Sequence, residues 1–112
     1  MGFSRREEKE EQEYLFKKGG SVLIKGIWDY NGMLILYGKV SEGLITNRMS
    51  FLLPRTNGKT MRAYPETLQY NEPDHVPYYI KWAQKGAPVI LRFRKAELKP
   101  DVQVRRWQTI TT

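Results

Sequence analysis

At 112 residues, with 40% hydrophobic and 28% charged residues, the chain suits one small globular domain and is too apolar for a disordered one. It has no cysteine, which excludes a disulfide framework, a thiol nucleophile and a cysteine-based zinc site, and fits a reducing cytosol. The formal charge of +7 is unevenly placed: residues 1–20 carry five basic and five acidic side chains, whereas residues 21–112 carry fourteen and seven. An excess of this kind draws polyanions and supports contact with phosphates.

The start, Met1-Gly2-Phe3-Ser4-Arg5-Arg6, is charged and has no apolar core, unlike a signal peptide. No apolar run approaches the roughly 18 residues of a membrane span. We therefore expect a soluble cytoplasmic protein with no membrane partner. Ser4 and Glu7 have capping-box spacing, and Arg6/Glu10 and Glu13/Lys17 sit four apart, as helix neighbours do. Apolar residues occur only at Phe3 and at Tyr14, Leu15 and Phe16, before Gly19-Gly20. A helix polar nearly all round has little to bury. Residues 1–20 thus read as a charged N-terminal extension, a short helix or a mobile arm.

Ser21–Tyr30 and Met33–Ser41 flank Asn31-Gly32, the dipeptide that best tolerates the two positive φ values of a type I′ turn. That loop sets Tyr30 opposite Met33, Trp28 opposite Ile35, Ile27 opposite Leu36, Ile24 opposite Lys39 and Leu23 opposite Val40. Both faces are then largely apolar, which calls for cover on both sides and places Trp28 in the core, with Phe51 and Phe93. Gly26 and Gly38, inside strands, suit a bend or a close backbone approach. Met49–Leu53 alternates up to Pro54, and Thr56-Asn57-Gly58-Lys59 is a second hairpin tip. The chain resumes extended through Thr60–Tyr70, broken at Pro65. Val76, Tyr79, Ile80 and Ala83 have helical spacing after a proline-rich loop, predicting a short helix over Pro77–Lys85 that stops at Gly86. Val89–Phe93 is an apolar strand, Val102–Trp107 a last alternating one, and residues 109–112 a loose tail. The expected fold is all-β: a small six-stranded antiparallel β-barrel over residues 21–108, with one short helix.

Several residues carry a further likeness. Gly38-Lys39-Val40, Gly43 and Ile45, then Ala83, Gly86 and Val89-Ile90-Leu91, then the turn Leu98–Val102, follow one another in a pattern that resembles the second domain of translational GTPases. Elongation factor Tu and initiation factor two are of this type. Where that family has Gly-Asp after the isoleucine, Asn47-Arg48 stands here. The resemblance implies a six-stranded β-barrel and a role in contacting tRNA ends or ribosomal RNA. The family's nucleotide-binding domain has no counterpart in the sequence. Gly58-Lys59-Thr60 mimics the end of a phosphate loop, but Leu53 occupies the place of the required glycine, so no nucleotide cofactor is expected.

No catalytic constellation emerges. His75 is the only histidine, and the carboxylates of Asp29, Glu42, Glu66, Glu72 and Asp74 show no paired spacing. Neither enzymatic activity nor a metal or other cofactor is expected. Basic residues instead gather late in the chain. Arg92 and Arg94 share a strand face, Lys95, Arg105 and Arg106 follow, and Lys59 and Arg62 lie at the second hairpin. Aromatics at Tyr64, Tyr70, Tyr78, Tyr79, Trp82 and Trp107 fall near loops. Cationic grooves beside aromatic platforms hold single-stranded RNA by stacking and phosphate contact. The expectation is a non-catalytic RNA- or ribonucleoprotein-binding module using those seven basic residues. A protein-interaction module acting through the barrel surface or the N-terminal arm is the alternative.

Overall fold

The computed structural model describes residues 19–112, so the expected helix or arm at the N-terminus falls almost wholly outside the described residues. The described chain is all-β and antiparallel. Its strands are β1 (Gly20–Tyr30), β2 (Met33–Thr46), β3 (Phe51–Pro54), β4 (Thr60–Ala63), β5 (Thr67–Tyr70), β6 (Tyr78–Tyr79), β7 (Trp82–Gln84), β8 (Pro88–Arg94) and β9 (Thr109–Thr111). They form one sheet in the order β4-β3-β9-β1-β2-β8-β5-β6, with β7 paired to the far half of β2. There are nine strands where six were expected, and the two ends of the order, β4 and β6, are not paired to each other. The sheet nevertheless curls: Phe51 of β3 meets Phe93 of β8 edge-on, with ring centroids 6.4 Å apart, although three strands separate them in the order. Both rings are fully buried, as expected.

The β1–β2 hairpin turns at Asn31-Gly32, with φ of 52° and 76°, and its pairing near the turn is the expected one. Beyond Gly26 the register departs. Lys25 has no partner, so Ile24 faces Gly38, Leu23 faces Lys39 and Val22 faces Val40. A bulge of one residue moves every side chain beyond it to the other face. Val22 and Ile24 therefore join Ile27, Leu36 and Val40 on one face, and the first two are buried in the core. Trp28, expected in the core, lies on the opposite face and is 57% exposed. A second shift leaves Ser41 unpaired, and its hydroxyl lies 2.7 Å from that of Ser21.

Gly38 sits where the strands come closest. A Cβ there would lie 2.4 Å from the Leu23 carbonyl oxygen and 2.8 Å from Val22 Cγ1. At Gly26 the nearest atom, Cβ of Tyr37, would be 3.6 Å away, an ordinary contact.

Two expectations need correction. Residues 77–85 form no helix. Tyr78 and Tyr79 pair with Tyr70 and Gln69, and Trp82–Gln84 pairs with Leu44–Thr46. The apparent helical face does not exist as a buried stripe, because Val76 is 86% and Tyr79 74% exposed. What decides the segment is strand alternation at Trp82-Ala83-Gln84, where only Ala83 is buried. Likewise Val102–Trp107 is not a strand: Val102 makes one bridge to Arg55, and Trp107 takes a φ of 69°, which interrupts extended backbone. The final strand is instead β9, the segment expected to be a loose tail. Its Ile110 is buried in the core between two exposed threonines, and it pairs with β1 and β3.

Gly38→Ala should lower stability by about 1–3 kcal/mol, because backbone rather than a flexible side chain must yield. Gly26→Ala should leave stability within about 0.5 kcal/mol of wild type or raise it slightly. Urea denaturation of both variants checks the pair.

Candidate nucleic-acid interface

Opposite the core cluster the central strands have an outer face, on which Trp28 is exposed while Ile35, Ile90 and Gln69 are buried. Reading across it, one row runs Trp28–Ile35–Arg92–Thr67 and the next Gly26–Tyr37–Ile90–Gln69–Tyr79. The Tyr37 ring lies across from Gly26 and 6.4 Å from Trp28 between centroids. Further along, Lys25, Tyr37, Lys39 and Asn71 line an open cleft of about 350 Å³. Lys25 and Lys39 are exposed, and neither has an ion-pair partner among the described residues.

The turn before β9 runs along the same stretch of β1. The Trp107 amide donates to the Ile24 carbonyl at 2.6 Å, and the Ile24 amide donates to the Gln108 carbonyl at 2.9 Å. Arg106 Nε donates to the Lys25 carbonyl at 3.1 Å, and its guanidinium sits 5.6 Å from the Trp107 ring centre. That stacking fixes a charged group beside an indole that is 63% exposed. Two groups thus flank the bulge: Lys25, Tyr37 and Lys39 with Trp28 against Tyr37, and the Arg106–Trp107 pair held to the Lys25 carbonyl.

The seven basic residues singled out in the sequence are divided by the fold. Arg92 and Arg94 do share the outer face of β8. Arg94 is held by Glu66, with Nε 2.9 Å from Oε1, and Lys95 is paired with Asp29. Arg105 and Arg106 lie in the turn beside β1. Lys59 and Arg62 belong to the β3–β4 hairpin, which β9, β1 and β2 separate from β8 in the sheet, and Arg62 donates to Ser50 Oγ at 3.0 Å. Beside Arg92, three shielded side-chain atoms have no partner among the described residues: Arg92 Nε, Thr67 Oγ1 and Gln69 Oε1. Thr67 is the direct cross-strand neighbour of Arg92, so these unmet hydrogen-bonding groups are gathered in one place.

Lys25, Trp28, Tyr37 and Lys39 were not among the residues picked out from sequence. Their signal was Gly26, a glycine inside a strand where a bulge re-aims its neighbours. Among the described residues no three histidines or carboxylates gather as a metal site would require, and no helix is long and apolar enough to cross a membrane. No protein-family model matches the chain, and no curated protein sequence matches it.

Two carboxylates are shifted. The hydrogen bond from Arg94, reinforced by the charges of Arg94 and Arg92, holds Glu66 below the ordinary carboxylate range, and Arg55 does the same to Asp101. A depressed folded-state value gives stability that is present above the unfolded value and lost as pH falls through the folded one. Both contributions are therefore complete at neutral pH and fade below about pH 4. Arg94→Met should raise the Glu66 titration midpoint, and Arg55→Met that of Asp101. Carboxyl carbon shifts followed by NMR against pH read both.

Proposed function

We propose that the protein is a non-catalytic RNA-binding module, acting on RNA alone or within a ribonucleoprotein, and that the surface around the Lys25 bulge is its contact face. The observation that carries this reading is the juxtaposition of three aromatic rings, Trp28, Tyr37 and Trp107, with three exposed cations, Lys25, Lys39 and Arg106. Rings of this kind stack unpaired bases, while the cations meet the phosphates between them. Arg92 adds a donor at the edge of the surface. Lys95 and Arg94 contribute less, because each is already neutralised by a carboxylate. Lys59, Arg62 and Arg105 serve as outlying phosphate contacts. No cofactor or catalytic step is part of this reading, and it places the protein in the cytoplasm.

The same proposal includes kinship with the second domain of translational GTPases, as a six-stranded barrel elaborated by short extra strands. What supports it is the position of the residues that carry the likeness. Gly38, Val40, Gly43 and Ile45 fall on β2, Ala83 on β7 and Val89–Leu91 on β8, all within one antiparallel sheet. Gly38 in particular is required by the close approach of Leu23.

Two substitutions test the contact face by different readouts. Lys25→Ala with Lys39→Ala should flatten the salt dependence of single-stranded RNA binding by about 1.4 in log–log slope, since each phosphate contact contributes about 0.7. Trp28→Ala should weaken binding by about 1–3 kcal/mol with the slope unchanged, because stacking releases no counterions. Fluorescence anisotropy over a salt series distinguishes them. Unchanged affinity and slope in both variants would remove the assignment.

A further inference from the structure

A second aromatic surface lies away from the β1 bulge, where β6 and β7 meet the start of β8. Tyr70, Ile80, Trp82, Ala83, Gln84, Lys85 and the Gly86-Ala87 turn line a cleft there of about 490 Å³. Tyr78 extends it, its ring 5.6 Å from that of Tyr70 and tilted by 30°. Trp82 and Tyr78 are each about half exposed, and Val76 stands almost wholly in solvent beside them in the chain. Apolar groups concentrated in this way on a small protein mark a contact surface rather than a stray side chain.

The polar chemistry of the cleft narrows its occupant. The one charged side chain lining it is the Lys85 ammonium, which disfavours a cationic ligand and favours an anionic group. Of its polar side chains the Trp82 indole N–H and the Lys85 ammonium can only donate, whereas the Tyr70 and Tyr78 hydroxyls and the Gln84 amide can donate or accept, and none can only accept. Among the described residues the two tyrosine hydroxyls and the indole have no hydrogen-bond partner, and Lys85 has only the exposed Glu42 at 3.2 Å. Exposed ion pairs of that kind are weak and easily exchanged. A matching ligand is therefore rich in acceptors, poor in donors, apolar along one side and negatively charged at one end.

A proline-rich segment has these properties. Proline has no backbone N–H, so such a chain offers carbonyls almost alone, and its polyproline-II helix makes no internal hydrogen bonds that would occupy them. Its rings pack against aromatic faces, and the conformation is fixed before binding, which reduces the ordering cost. We propose that the Tyr70–Tyr78–Trp82 cleft binds a proline-rich segment of a partner protein, with an acidic residue of that segment meeting Lys85. This inference does not rest on the RNA reading, since its aromatic side chains are others, although Gly86 borders both clefts.

The test uses the full chain and a synthetic Pro-x-x-Pro peptide ending in glutamates, followed by tryptophan emission. The peptide should shift the emission of the wild type and of Trp28→Ala. Binding should weaken about tenfold in Tyr78→Ala, the size of losing one aromatic anchor, and the emission response should vanish in Trp82→Ala. Lys85→Ala should weaken the glutamate-ended peptide and leave a serine-ended one unchanged, a difference that loss of folding cannot produce. No response, an equal response to a peptide with alanine for each proline, or an undiminished response in Trp82→Ala would each overturn the proposal. Displacement of the peptide by single-stranded RNA, with RNA binding abolished in Trp82→Ala, would assign the cleft to nucleic acid instead.

Discussion

The structure depends on one irregularity, the unpaired Lys25 in the longest hairpin. Strand pairing is unforgiving about parity: without the extra residue, Ile24 and Val22 would stand on the face that carries Trp28 and Tyr37. The core would lose two fully buried side chains, and the outer face would gain two that nothing solvates well. With the bulge, Val22 and Ile24 are buried on the face that holds Leu36 and Val40. Close approach at Gly38 is the complementary feature, because the β1 backbone presses against the β2 strand where a side chain would have to be. Sequence, register and surface chemistry are joined at this point.

The proposed RNA contact face rests on the same geometry. The residue that is left over, Lys25, lines a cleft with Tyr37, and its carbonyl anchors Arg106. The turn carrying Arg106 and Trp107 is held to β1 by backbone hydrogen bonds, so its cation and indole are positioned by the sheet. Four of the acidic residues are spent on Arg55, Lys85, Arg94 and Lys95, none of them among the three cations around the bulge. Lys25, Lys39 and Arg106 are thus three of the cations that keep their charge uncompensated among the described residues.

What the sequence made legible was local chemistry. Asn31-Gly32 and Asn57-Gly58 identify both hairpin tips, because the positive φ of Asn31, Gly32 and Gly58 leaves few choices of residue. The Val89–Phe93 run identifies a central strand, and the shared face of Arg92 and Arg94 follows from period-two alternation. Properties that depend on distant pairing were not legible. Gly26 marks an irregularity beside Lys25 but does not say that the register slips there, so Trp28 reads as a core residue. Tyr79, Ile80 and Ala83 mimic a helical stripe, yet the open edges of β5 and β2 recruit that segment as two short strands. Thr109-Ile110-Thr111 is too short to announce itself, and it is ordered by the β1 and β3 backbones it lies between. The candidate contact face was half visible for the same reason: its cations could be counted, but not placed beside their rings.

The most direct measurement is ultraviolet cross-linking of the full chain to a mixed-sequence single-stranded RNA, with the attachment sites located by mass spectrometry. Aromatic side chains stacked on bases are the groups such light couples. The account predicts attachment at Trp28, Tyr37 or Trp107, in peptides spanning residues 25–39 and 105–108. Attachment confined to the β3–β4 hairpin around Lys59 and Arg62, or no attachment while RNA remains bound, would contradict it.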